Sequence, residues 1–167
     1  MIDKPKYDKV TLQRIQSSHP KLRTELRAIY EEIFSKLTGN AKVRFTHVLR
    51  THIEQDRLYA IGRTTGIKGR IVTNAKGGDS YHNWSLACDF VLLIDDKEIS
   101  YDMLKDYDFD GTADWGEVVS IFKKYKWTWG GDFKGKFKDY PHFQKSDYTI
   151  EQLKKMKLDD DGYVIFP

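Results

Sequence analysis

One stretch constrains this fold more than any other: Leu86-Ala87-Cys88-Asp89-Phe90-Val91-Leu92-Leu93, an apolar run broken by a single carboxylate. Its length and continuity predict a buried strand. Alternation along a strand puts Ala87, Asp89 and Val91 on one face and Leu86, Cys88 and Phe90 on the other. A carboxylate inside such a strand is costly unless it is paired or binds a cation. Asp89 therefore needs a partner, and the small side chain of Ala87 leaves room beside it. Cys88 points to the opposite face and reads as core. As the sole cysteine it makes no disulfide within the chain.

The remaining pattern is mixed. His19-Pro20 marks a helix start, with Leu22, Leu26, Ile29, Ile33, Phe34 and Leu37 at helical spacing and Gly39 closing the run. Val43 to Leu49 reads as a strand with Val43, Phe45 and His47 on one face. Ile53 to Ile61 reads as a short helix ending at Gly62. Residues 62 to 81, rich in Gly, Thr and Lys, form a long loop of the kind that compact domains keep for function. Helical spacing returns over 114 to 125. Short strands are expected around Trp127 to Trp129 and Pro141 to Gln144, then a last helix over Ile150 to Lys157. Without βαβ regularity, this predicts an α+β fold with a small, mostly antiparallel sheet flanked by helices.

With 167 residues, 40% hydrophobic and 14% aromatic, the chain is expected to form one domain, residues 1–167, with a full core. The net charge of +3 suits contact with an anionic surface but carries no nucleic-acid motif. No stretch is long and apolar enough to cross a membrane. Met1 to Val10 alternates charge without an apolar h-region, so no secretory signal is expected.

Chemistry concentrates in two clusters: Ser80-Tyr81-His82-Asn83-Trp84-Ser85-Leu86-Ala87-Cys88-Asp89 and Asp139-Tyr140-Pro141-His142-Phe143. A catalytic zinc keeps three protein ligands and leaves a fourth position for water. His82, Asp89 and His142 give that count. Asp139, three residues before His142, is placed to take a proton from water and pass it to a leaving amine.

The flanking residues carry a resemblance. Gly62-Arg63-Thr64, Val72-Thr73-Asn74-Ala75-Lys76-Gly77-Gly78 and Ser80-Tyr81-His82-Asn83 lead to Ala87-Cys88-Asp89-Phe90. Trp129-Gly130-Gly131-Asp132 precedes Asp139-Tyr140-Pro141-His142-Phe143-Gln144. Over residues 8 to 145 this resembles the zinc peptidases of peptidoglycan stem peptides. That group includes D-alanyl-D-alanine carboxypeptidases, D-Ala-D-Ala dipeptidases and the L-alanyl-D-glutamate endopeptidases of phage endolysins. The resemblance implies the Hedgehog/DD-peptidase-like fold. It maps an S-x-H-x6-D motif onto Ser80, His82 and Asp89, and a D-x-x-H motif onto Asp139 and His142. Aspartate rather than glutamate at 139 resembles the L-alanyl-D-glutamate branch. Arg50 and Gln55 match a family arginine and glutamine in and after the strand before the loop. Ser85 stands where the family usually has glycine.

By that resemblance zinc polarises the scissile carbonyl, Asp139 activates water, and Arg50 is the cation for the developing oxyanion; its alternative is a salt bridge to a carboxylate. Ser80 and Gln55 are candidates for substrate hydrogen bonds. Trp127 and Trp129 read as core. Asp132 either orients a ligand histidine or caps the turn at Gly130-Gly131. His19, His47 and His52 read as structural or exposed, and the loop from Gly62 to Asp79 as a wall of the cleft.

A second cation pattern stands apart. Asp106-Tyr107-Asp108-Phe109-Asp110-Gly111, with Glu117 six residues on, fits the calcium loop of an EF-hand. Asp106, Asp108, Asp110, the Thr112 carbonyl and Glu117 would be the calcium ligands, and Asp114 a water-mediated one. The competing reading is an acidic Asp-Gly turn, with Asp114 capping the next helix.

The leading expectation is a monomeric zinc endopeptidase of the cell wall with peptidoglycan as partner, cutting at L-alanyl-D-glutamate. It would be an endolysin or wall-remodelling enzyme, made in the cytoplasm and reaching the wall after holin release or lysis. The same-family alternative is a D-alanyl-D-alanine carboxypeptidase or dipeptidase. The alternative of another class is a non-catalytic wall- or calcium-binding module.

Overall fold

The computed structural model describes residues 7–167. The elements run α1 (Lys9–Gln16), α2 (Arg23–Lys36), β1 (Ala41–His47), α3 (His52–Ala60), β2 (Ala87–Ile94), β3 (Glu98–Ser100), α4 (Asp114–Lys124), β4 (Thr128–Trp129), β5 (His142–Gln144) and α5 (Ile150–Leu153). The five strands form one antiparallel sheet in the order β1-β2-β5-β4, with β3 also on β2. The predicted α+β class and antiparallel sheet are therefore present.

The apolar run is the middle of this sheet. β1 pairs with β2 from Asp89 to Ile94. β5 takes Ala87 to Asp89, and β3 takes Leu92 to Ile94. Cys88, Phe90, Leu92 and Ile94 enter the main core with Leu26, Ile29 and Ile33 of α2 and Trp115, Val118 and Phe122 of α4. Phe122 stacks on Phe143 with centroids 4.0 Å apart, and Phe90 lies 4.3 Å from Trp115. A smaller cluster of Leu86, Leu153 and Val164 fastens the C-terminal segment, and His19 Nε2 lies 2.9 Å from the Val164 carbonyl.

Several boundaries differ from expectation. The helix expected from Pro20 is preceded by α1, whose N-cap Asp8 accepts from Thr11 N; Pro20–Leu22 form a separate 3-10 turn. β1 begins at Ala41 and ends at His47, with a bulge between Phe45 and His47. The extra residue turns His47 outward and buries Val48, so Val43, Phe45 and His47 do not share one buried face. Arg50 consequently follows the strand, next to the α3 cap, where Thr51 and Glu54 form a capping box. The hairpin strand β3 was not anticipated; Asp95 and Asp96, both at positive φ, make its turn. Trp127 is core, but only Thr128–Trp129 are strand, and the last helix is one turn long.

Ser85 closes the 3-10 turn Tyr81–Trp84 in the left-handed region, φ 58° and ψ 29°. Side chains adopt that region at a cost that glycine escapes. Ser85→Gly is expected to stabilise the protein by about 0.5–1 kcal/mol in urea denaturation. A loss of stability would show that the buried hydroxyl outweighs the backbone strain.

Candidate metal centre

Three segments bring the predicted ligands together. Asp89 on β2 is directly opposite His142 on β5 in the sheet register. His82 arrives from the Tyr81–Trp84 turn, which is clipped to the segment before α3. Arg50 N donates to the His82 carbonyl (3.1 Å), and Asn83 Nδ2 donates to the Arg50 carbonyl (2.8 Å). Asn83 Oδ1 accepts from Gly78 N and Ser80 N, closing the loop onto the turn. Asp89 Oδ1 lies 3.0 Å from His82 Nε2 and 2.9 Å from His142 Nδ1, and the two ring nitrogens are 3.2 Å apart.

The chemistry of this donor set fits a cation. His82 Nδ1 lies 2.9 Å from the Val48 carbonyl and His142 Nε2 3.0 Å from Gln144 Oε1. Each outer nitrogen therefore donates its hydrogen to an oxygen, which directs the inner nitrogen's lone pair toward the other ring and the carboxylate. Three electron-rich atoms converging in a buried place repel unless a positive charge lies among them. Burial opposes ionisation of Asp89, yet the two imidazoles outweigh it and hold its carboxyl well below the usual range. Burial likewise lowers His142, but the Asp89 carboxylate outweighs it and raises it. Two nitrogens and one oxygen of this kind are zinc's donors.

Asp139 lies beside the set without joining it. Its backbone is fixed from both sides: Asp139 N donates to the Gly130 carbonyl (3.2 Å), and His142 N donates to the Asp139 carbonyl (3.1 Å). Gly130 is needed for this close approach, since a Cβ there would overlap the Asp139 carbonyl oxygen. Burial pushes the Asp139 carboxyl above the ordinary range. Asp139 and His142 line a cleft of about 250 Å³, whose wall includes Thr73, Asn74, Ser80 and Phe133. The loop predicted as a wall supplies Thr73, Asn74, Ala75 and Asp79 of it.

Other expected residues take different places. Arg50 Nη2 donates to Asp89 Oδ2 (3.3 Å) and Nη1 to Gln55 Oε1 (2.9 Å). It does not line the cleft but borders a neighbouring depression with His47 and Arg57. Its contacts match the salt-bridge alternative: it holds the Asp89 carboxylate through Oδ2. Gln55 is fully buried, and its Nε2 donates to the Ala75 carbonyl (2.8 Å). It ties α3 to the cleft loop instead of facing substrate. Ser80 caps the His82 turn through its hydroxyl and also reaches the cleft. Asp132 neither orients a histidine nor caps; it pairs with Lys123 at 2.6 Å. The residues that sequence reasoning missed are Gln144 and the Val48 carbonyl. Gln144 had a readable signal, since two residues beyond His142 it shares the same strand face.

Residues 73–145 match the family model described as D-alanyl-D-alanine carboxypeptidase, a span that holds His82, Asp89, Asp139 and His142. The resemblance to peptidases of peptidoglycan stem peptides is thus borne out. Over 102 residues the chain is 51% identical to the peptidoglycan L-alanyl-D-glutamate endopeptidase CwlK of Bacillus subtilis (strain 168), a match covering 61% of this chain and 59% of that protein's length. The solved structure of the Serratia marcescens L-Ala D-Glu endopeptidase ChiX aligns with a TM-score of 0.53 at 17% identity, covering 87% of this chain and 92% of that one, and shows the shared fold.

Gln144→Leu removes the acceptor that fixes the His142 tautomer. Zinc affinity, measured by competition with a chromogenic chelator, is expected to fall about 10–100-fold while the fold is retained. Unchanged affinity would exclude Gln144 as the residue that orients this ligand.

Proposed function

We propose that this chain is a zinc metallopeptidase that hydrolyses peptidoglycan stem peptides at the L-alanyl-D-glutamate bond. The observation that carries this reading is a buried His82–Asp89–His142 donor set with a partly desolvated carboxylate, Asp139, beside it on a cleft. Zinc held by those three residues supplies Lewis acidity toward the scissile amide and lowers the pKa of water at the site. Asp139, its proton affinity raised by burial, takes the water's proton on a carboxylate oxygen and delivers it to the departing amine nitrogen. Its backbone clamp to Gly130 keeps that oxygen in place through both transfers. Arg50 acts as a positioning residue through Asp89, whose Oδ2 its guanidinium holds. The choice of bond rests on the likeness to the Bacillus subtilis enzyme and on aspartate at position 139.

Digestion of purified peptidoglycan, followed by identification of new amino termini, tests the reading. D-glutamate termini are expected, and they should vanish on zinc chelation. Free D-alanine would favour the carboxypeptidase that the matching family model describes. No new termini would leave the wall-binding alternative.

Asp139→Asn is expected to lower kcat by at least 10²-fold with zinc content unchanged. In the parent protein kcat should fall as pH drops through the Asp139 pKa. That acid limb lies above the ordinary carboxylate value, because burial raises the group. Gly130→Ala should cost about 10²-fold in kcat by displacing the same carboxylate. Wild-type turnover in both variants would remove Asp139 from the mechanism.

A further inference from the structure

The acidic segment between β3 and α4 plays no part in the peptidase site, yet it contains the most unbalanced charge in the molecule. Asp106, Asp108, Asp110, Asp114 and Glu117 fall within twelve residues. The ligand oxygens of Asp108, Asp110 and Glu117 lie within 4.8 Å of one another, as do those of Asp106, Asp108 and Asp114. Gly111, at φ 92°, makes the sharp turn that the pattern requires at its sixth position. Asp106 Oδ2 accepts from Gly111 N (2.9 Å), which folds the loop back on its first carboxylate.

An acidic turn on the surface would need nothing more, but two of these carboxylates are not on the surface. Asp114 is fully buried and Glu117 is 4% exposed, and both belong to the first turn of α4. Asp114 Oδ2 and Glu117 Oε2 receive no hydrogen bond. The ammonium of Lys36 lies 2.8 Å from Glu117 Oε1 and 2.8 Å from Asp110 Oδ2, an ion pair that leaves Glu117 Oε2 and Asp114 Oδ2 without a partner. Burial pushes both carboxyls above their usual range. Buried, unbonded carboxylate oxygens are costly, and one ammonium leaves most of them uncompensated. The Lys36 side chain is 49% exposed, so it can leave without breaking the core. A depression of about 500 Å³, lined by Glu32, Lys36, Thr112 and Glu117, opens beside it to solvent.

We propose that residues 106–117 form a calcium site in which Asp106, Asp108, Asp110, the Thr112 carbonyl and Glu117 hold the ion and Lys36 is displaced from it. A hard divalent cation matches an all-oxygen set of this charge, and the flexible ligand count suits calcium better than magnesium. Thr38 N donates to Asp108 Oδ2 (3.0 Å), so the loop is already pinned to the end of α2. An ion there joins the end of α2 to the start of α4, the two helices that cover the sheet. Its role is structural, and it is independent of the zinc site.

The test uses the full chain loaded with zinc and titrated with calcium chloride, read by calorimetry and thermal unfolding so that no peptidase activity is needed. One calcium per chain with a Kd below about 1 mM is expected. At calcium about 100-fold above Kd the melting temperature should rise by roughly 5–10 °C. Equal magnesium should give a much smaller shift. Glu117→Gln and the loop double variant Asp108→Asn/Asp110→Asn should both abolish the shift. Lys36→Ala should tighten calcium binding by removing the competing ammonium. Absence of a calcium isotherm, an equal response to magnesium, or a Lys36→Ala variant that binds no more tightly would overturn the proposal.

Discussion

The site depends on one placement: a carboxylate in the middle strand of a hydrophobic sheet, directly opposite a histidine on the neighbouring strand. Because Asp89 and His142 are register partners, their separation is set by the sheet and not by a loop. Leaving Asp89 ionised and unpaired there would cost several kcal/mol. The Arg50 guanidinium donates to one oxygen, and the other faces the two imidazole nitrogens, where a cation would offset the rest. Burial, which makes the carboxylate expensive, also fixes the geometry in which a cation would be bound.

The support around this core is mostly backbone. The Val48 carbonyl sets the His82 tautomer, the Gly130 carbonyl holds Asp139, and the bulge in β1 brings the chain to Val48 with its carbonyl facing His82. Side chains such as Gln144, Gln55 and Asn83 then lock the segments together. Removing one of them alters a ligand's orientation rather than the ligand count, so the losses should be graded.

This division explains what was legible in the sequence. A continuous apolar run gave β2 and helical spacing gave α4 nearly to the residue, since β2 is buried on both faces and α4 packs on the main core. α1 escaped because only Thr11 and Ile15 of it are buried, too few to make a periodic signal. β3 escaped because it is three residues long and mostly exposed. The candidate metal residues were readable because a carboxylate inside an apolar strand needs a partner and because the residues flanking both clusters resemble those of the zinc peptidases. The Val48 carbonyl was not readable, since every residue has one and only the bulge aims it. The role given to Gln55 failed for a related reason: the sequence shows a polar side chain, while burial decides whether it faces substrate or the loop behind it.

The central claim concerns which atoms hold the ion, and zinc K-edge absorption of the metal-loaded chain reports them directly. The account predicts one zinc per chain with two imidazole nitrogens at about 2.0–2.1 Å and carboxylate and solvent oxygens at about 2.0–2.2 Å. The histidine signature should be lost in a His82→Ala/His142→Ala variant. A sulfur at about 2.3 Å, which would bring Cys88 out of the core, or an unchanged spectrum in that variant, would contradict it.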